Sequence, residues 1–519
     1  MKKLLIVALL LLSLLSLASC DINPQDLMPE WMIPQDTTAQ EETLDGQPSE
    51  NNPLEDTDTG GNATCLHEWN MATTPPTCTV VGYDTKTCSL CGESVRENET
   101  AKADHSYANT YSIDDDDHWF ACAICGNARD KEPHILDENG VCTVCQMPIT
   151  PTLGVIYKES ADGIYAQVVG YTGTSPKVKI AEEYNGLPVK TIDNKAFYNK
   201  DMITSVIIPH SVTSIETDAF YYCTSLTSVM IPDNVTRIGE YAFYKCTSLT
   251  SVVIPGSVTK IAGSAFRSCS SLTSVVIADG VTIIDAWVFQ DCTSLVSVVL
   301  GNSVEEIRES AFYNCTSLTS VVIPDSVTRI DHSVFRNCTS LTSVEIGDSV
   351  TNISTRMFQN CTNLTSVVIP DSVTSINYYA FLGCTSLTSV AIPNSVTSIE
   401  GYAFSCCKNL TSVVIPGNVT HIGEYTFDDC DSLTSIVIPD NVTTICKFAF
   451  ANCNGLTSVV IGNSVTSIDR SVFAYCNKIT DVYYTGSEAQ WQEIEIDSSG
   501  NSSLLNATKH YNYNPEAQN

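Results

Sequence analysis

The chain has 519 residues, with 59 Asp and Glu against 26 Lys and Arg, a formal charge of −33 and 23 cysteines. Length alone leaves room for several domains. The acidic excess argues against nucleic acid as a partner, because phosphate binding needs the opposite sign, and it favours solubility and extension at a surface.

The N-terminus reads as an export signal. Met1, Lys2 and Lys3 form a short basic region, an apolar stretch runs from Leu4 to Leu17, and small residues precede Cys20. The run is short for a spanning helix. Leu17, Ala18, Ser19 and Cys20 resemble the bacterial lipobox. That resemblance implies a signal peptide over residues 1–19, lipidation of Cys20, and a firm hold on a membrane through several acyl chains. The alternative is an ordinary secretory signal cut elsewhere. Residues 21–62 carry eleven acids and no Lys or Arg. They cannot bury enough apolar surface to fold, so 20–62 is expected to be a lipidated cysteine followed by a disordered acidic tether.

Residues 63–150 are expected to be a loop-rich Cys/His module without internal repeats. Cys88 and Cys91, Cys122 and Cys125, and Cys142 and Cys145 are CxxC pairs, and glycine follows the first two. Two intervening residues let both thiolates reach one tetrahedral ion. One partition places Cys88, Cys91, His105 and His67 around a first structural zinc and Cys122, Cys125, Cys142 and Cys145 around a second, with His118 and His134 as competing ligands. Disulfides are the rival, since Cys65 and Cys78 bring the segment to eight cysteines. A thioredoxin-like role lacks its βαβ context, and a catalytic zinc lacks an HExxH helix.

Residues 151–190 are expected to cap an array that fills 191–478. Phenylalanine recurs every 23 residues, thirteen times, from Phe197 to Phe473, and cysteine follows three residues later in twelve of those units, from Cys223 to Cys476. A period without insertion or deletion means a solenoid whose coils stack on their neighbours. In the unit from Leu226 to Cys246, Val229 and Ile231 alternate with Ser228 and Met230 as in a strand. Pro232 ends that strand, and Ala242 to Cys246 fits one helical turn with Phe243 and Cys246 inward. About seven apolar groups per coil are expected inside: Leu226, Val229, Ile231, Val235, Ile238, Phe243 and Cys246. Residues 479–519 should form a C-terminal cap and tail.

The unit C-x-S-L-T-S-V-x-I-P-x-S-V-T-x-I-x-x-x-A-F resembles the BspA-type leucine-rich repeat of bacterial surface proteins. The resemblance implies a leucine-rich-repeat solenoid with a parallel β-sheet on its concave side and short helical or 3-10 turns opposite. It also implies adhesion to host matrix or to other cells.

The cysteine column is read as free, buried thiols filling a small apolar site, with disulfides as the alternative; Cys406 and Cys446 fall outside the column. Two kinds of surface are candidates for binding. One is an outward strand column that includes Val253, Val276, Val322 and Val368, bordered by serine. The other comprises two aromatic ladders, Tyr198, Tyr221 and Tyr244 just after Phe, and Tyr379, Tyr402 and Tyr425 two places before it. Simple strand preference and semi-buried packing are the plain explanations of each. The chain contains no GxxxxGK[ST] loop and no GxSxG elbow. The sequence therefore points to a non-enzymatic, lipid-anchored protein of the bacterial cell surface that binds extracellular protein ligands. Glycan capture by the aromatic ladders and a non-binding envelope spacer are the alternatives.

Overall fold

The computed structural model describes residues 150–514 and, upstream, the backbone of six strands between Trp69 and Pro133. The expected signal peptide over 1–19, Cys20 and the expected acidic tether lie outside the described residues. The six strands are β1 to β3 (Trp69–Thr74, Gly82–Cys88 and Ser94–Thr100) and β4 to β6 (Tyr107–Ile113, Asp117–Cys122 and Ala128–Pro133). They form two antiparallel sheets in the orders β1-β2-β3 and β4-β5-β6. The segment expected to be loop-rich and repeat-free is thus strand-built, and the same meander occurs twice. Strand-favouring residues such as Thr85, Thr87, Tyr111, Trp119 and Phe120 account for the strands.

Each coil of the array carries two short strands, and each strand joins a parallel ladder. Ser251–Ile254 belongs to the first ladder and Lys260–Ile261 to the second. Both pair with their counterparts 23 residues on, Ser251 with Ser274 and Ile261 with Ile284. Between the strands the Pro232 carbonyl accepts the Val235 N–H at 2.9 Å. This turn returns Val235 to the interior, where it is fully buried. All seven groups expected inside the coil from Leu226 to Cys246 are buried, and the Phe rings stack along the array with centroids 4.9 to 5.8 Å apart.

The third side of the coil holds the Phe. Here the expected helical turn takes the form of linked turns, because the main chain must serve two masters. Within a coil, Tyr221 N–H donates to the Asp218 carbonyl and Cys223 N–H to that of Phe220, both at 3.1 Å. In alternation with these, Asp218, Phe220 and Tyr222 donate to Glu240, Ala242 and Tyr244 of the next coil, at 3.0, 2.7 and 2.8 Å. A helix would direct every donor along its own axis and leave none to join the coils. The alternation needs left-handed backbone two residues before and two after each Phe. Tyr241 and Lys245, flanking Phe243, have φ of 55° and 56°, and the same holds in all thirteen coils. The later position is Asn, Asp or Gly in eight of them, from Asn199 to Asn452, residue types that enter this region at little cost. The earlier one holds Tyr241, Trp287, Tyr379, Tyr402, Tyr425 and Phe448, for which it is strained.

Both ends depart from the repeat in ways that satisfy orphan groups. Strand Val155–Glu159 runs antiparallel to Ala166–Tyr171 and closes the second ladder, and Tyr171 covers Phe197 at 5.9 Å. At the far end Phe473 has no following coil. The fully buried Asn501 replaces it: its Oδ1 accepts the Phe473 N–H at 3.0 Å, and its Nδ2 donates to the carbonyls of Asp469 and Asp497, both at 2.7 Å. Asn501→Ala strips the Phe473 amide of its partner inside the core, so a loss of about 1–3 kcal/mol is expected. Hydrogen exchange should quicken at Phe473 and Phe450 and stay unchanged at Phe243, as nearest-neighbour coupling requires. Uniform loss of protection along the array would contradict this.

Candidate binding surfaces

The first ladder sets an outward column between two inward ones. Val253 opposes Val276, and Val276 opposes Val299. Further along, Val322, Glu345, Val368 and Ala391 stand side by side. Val253, Val322 and Val437 are 45%, 38% and 48% exposed, while Val276 and Val368 are half-buried. Ile207, at the head of the column, is buried. A threonine row runs alongside. Thr227, Thr250 and Thr273 each donate their hydroxyl to the carbonyl 23 residues back, at 3.0, 3.3 and 3.0 Å. The hydroxyls are thereby spent on the coil-to-coil bond, and the valine column is left as the apolar feature of this face.

The aromatic ladders are real stacks. Tyr198, Tyr221 and Tyr244 lie 4.9 Å apart. Tyr379, Tyr402, Tyr425 and Phe448 follow one another at 4.9, 4.6 and 4.6 Å, within about 20° of parallel. Neighbours cover both faces of the inner rings, and Arg356 lies over Tyr379 at 4.9 Å. A sugar platform needs an open ring face; these ladders present edges and phenol hydroxyls instead. Burial, then the neighbouring phenols, pushes Tyr402 up to about 12, so that hydroxyl stays protonated. Two aromatic groups of this side escape sequence reasoning. Trp287 and Tyr378 are 38% and 51% exposed; Trp287 shares the phase of Tyr379 but has Ser264 and Ser310 as its column neighbours, and Tyr378 is the one aromatic at its phase, so no continuous column announces either.

The twelve column cysteines are free and buried. Each thiol donates to the carbonyl of a Phe 26 residues back, from Cys223 to Phe197 at 3.1 Å through Cys476 to Phe450 at 3.0 Å. Burial pushes the thiols from Cys223 to Cys453 upward, Cys223, Cys269 and Cys338 to about 12. Cys446, half-buried, is raised by the same cause.

Of the expected zinc ligands, Cys88 ends β2 and Cys122 ends β5, so two of the CxxC pairs start at equivalent hairpins of the two meanders. His67, Cys91, His105, Cys125, Cys142 and Cys145 lie outside the described residues. Among the described residues no group of three or more His, Cys, Asp or Glu is placed to hold a metal ion. One carboxylate of the array is unusual. Burial raises Asp428 to about 6, against the opposing pull of Asn452, whose Nδ2 donates to it at 2.9 Å, and with the help of Asp429.

The family described as BspA type leucine rich repeat region matches the chain over residues 190–318, 264–385, 305–433 and 351–480, more than half its length. Among solved structures, a leucine rich cell surface protein from Faecalibacterium prausnitzii is 33% identical over 67% of this chain and 98% of its own, with a TM-score of 0.43. A leucine-rich repeat protein from Bacteroides ovatus is 23% identical over 70% and 99%, with a TM-score of 0.47. No curated protein matches.

Two outcomes follow from the titrating groups. At pH 8, iodoacetamide should leave the column cysteines unmodified in the native protein and reach Cys446 first among the array's free thiols; peptide mapping after brief exposure checks the order, and early labelling of Cys338 would contradict the buried column. For Asp428 the folded-state value lies above the ordinary one, so its contribution favours the folded state at low pH and is lost as pH rises through about 6. Asp428→Asn should therefore raise the melting temperature at pH 7.5, on the order of 2–4 °C, and leave it unchanged at pH 4. Equal shifts at both pH values would exclude titration of Asp428 as the cause.

Proposed function

The chain belongs to the BspA-type leucine-rich repeat family, and we propose that it is a lipid-anchored protein of the bacterial surface whose array docks extracellular protein ligands. The observation that carries this reading is the valine column of the first ladder. In a chain of formal charge −33, a row of half-exposed valines running through successive coils is a surface that water covers poorly and a complementary protein covers well. Specificity then comes from departures such as Glu345, which puts one carboxylate into the apolar row between Val322 and Val368.

The lipobox-like Leu17 to Cys20 and the acidic stretch after it support attachment to a membrane, with the array held away from the lipid on a tether of roughly 40 residues. Adhesion to host matrix or to other cells is the role that suits such a placement. Of the alternatives, protein docking fits the geometry better than glycan capture on the tyrosines, because the ring faces are occupied by one another.

The test is surface plasmon resonance of the unlipidated chain against a panel of extracellular-matrix and plasma proteins. Saturable binding to at least one is expected. The triple variant Val253→Lys, Val276→Lys, Val322→Lys should weaken it about tenfold or more with an unchanged circular dichroism spectrum. An absence of saturable binding across the panel would leave the spacer as the better reading, and undiminished binding by the triple variant would move the site off this column.

A further inference from the structure

The second ladder is interrupted once. It runs without a gap to Arg329–Ile330 and starts again at Asn352–Ile353, and these two strands do not pair. In most coils the amide after the strand isoleucine donates to the isoleucine carbonyl of the preceding coil, as Asp331 does to Ile307 and Asn377 to Ile353, both at 2.9 Å. At the interruption the Ser354 amide makes no such bond, and its hydroxyl reaches the Ile330 carbonyl instead.

The core also departs from the repeat at this junction. The residue just before each Phe is Ala, Val or Thr in every coil except one, where it is Met357. Met357 is fully buried and stacks on Val334. The rings on either side of this junction, Phe335 and Phe358, are 5.8 Å apart, the widest step of the Phe stack. The Phe335 N–H still donates to the Met357 carbonyl at 3.0 Å, so the coils stay joined on the Phe side and the ladder is open on the other.

The opening is a cleft of about 500 Å³ lined by Arg329, His332, Asn352, Ser354, Arg356 and Asn377, among others, a size within the range of small-ligand sites. Its charges are not equivalent. Arg329 is held by Asp331 at 2.9 Å, and His332 stands 3.7 Å from Glu309. Arg356 makes no ion pair among the described residues; its guanidinium lies on the face of Tyr379 at 4.9 Å. It also occupies a left-handed position, with φ of 58°, where the two preceding coils use Ser310 and Ser333. An uncompensated arginine kept at a strained position in an acidic protein calls for an anion.

We propose that this cleft binds a carboxylate-bearing saccharide. The Arg356 fork takes the carboxylate, and the Asn352 and Asn377 amides take the sugar hydroxyls. The lining favours a sugar over an acidic peptide, since its side chains are mostly amides, hydroxyls and charged groups, with Ile330 its one aliphatic residue and no aromatic anchor among them. The site lies on the second ladder and does not depend on the valine column of the first.

Titration calorimetry of the full unlipidated chain with a glucuronate-containing disaccharide tests it. The neutral glucose counterpart, a sulfated counterpart and a tetraglutamate peptide are the comparison arms. Saturable binding of the glucuronate sugar is expected, with each comparison arm about tenfold weaker or more. Arg356→Ser, which restores the residue type of the coils below, should lose about tenfold or more of that binding with an unchanged melting temperature. Val253→Lys should leave it intact. No binding, equal binding of the neutral or sulfated sugar or of the peptide, or full retention by Arg356→Ser would each overturn the assignment.

Discussion

The structure depends on one bonding rule in the segment around each Phe. Main-chain donors there alternate between their own turn and the next coil, so neither a coil nor its neighbour is satisfied alone. The rule works only if the same phase of the repeat meets itself every 23 residues, which explains why the array tolerates no insertion. It also forces side chains into columns. Phe lies on Phe, Tyr on Tyr, and each Cys beneath the carbonyl of a Phe in the coil before it. Cysteine suits its column for a reason beyond size: the thiol is a small apolar group that still has a hydrogen to give to that carbonyl, which an alanine would not.

Columns convert small sequence changes into surface features. A buried methionine among alanines would be absorbed locally in an ordinary core. Here it coincides with the one junction where second-ladder strands do not pair, and the next Phe step, from Phe358 to Phe381, is 5.4 Å. The junction keeps its Phe stack and its first-ladder pairing, since Ser343 still pairs with both Ser320 and Ser366. The opening is therefore a one-sided notch. It does not divide the array, and the cooperative stacking of the remaining columns holds it at a fixed width.

Much of this was legible in the residues themselves. The Phe and Cys columns, the seven inward groups and the parallel strand of Val229 and Ile231 follow from periodicity, and the coil buries that set. The helical turn over Ala242 to Cys246 was the natural reading of Phe and Cys three apart, because a helical turn and an i to i+3 β-turn bring the same pair to one side. The discriminating signal was the residue two places after Phe. Asn314, Asn337, Asn360 and Gly383 in register favour left-handed backbone and would not be chosen inside a helix. The repeated meander upstream had a comparable signal, since His67 stands two residues before β1 and His105 two before β4, each followed later by a CxxCG. What the residues could not convey is occlusion. Tyr402 and Tyr425 look like a platform when written as letters, and only the 4.6 Å stacking shows that their faces are spent on one another.

Electrostatics follows the same column logic. Like charges at one phase would stand a strand spacing apart, about 4.8 Å, and repel along the whole array. Some ion pairs relieve this by alternating sign at one phase: Arg308 reaches Asp285 at 3.1 Å and Lys447 reaches Glu424 at 3.0 Å, while Arg237 and Lys260, like charges at one phase, are met by Glu216 and Asp285 at 3.2 and 2.7 Å. Exposed pairs of this kind add little stability singly, and their value lies in removing a repulsion that the repeat would otherwise multiply. Arg356 stands outside this arrangement. Its column neighbours are Ser333 below and Tyr379 above, so it has no like charge to avoid and no opposite charge to hold it. The ring of Tyr379 keeps the guanidinium along the edge where the second ladder is open, which places a cation without an ion pair beside the break in that ladder.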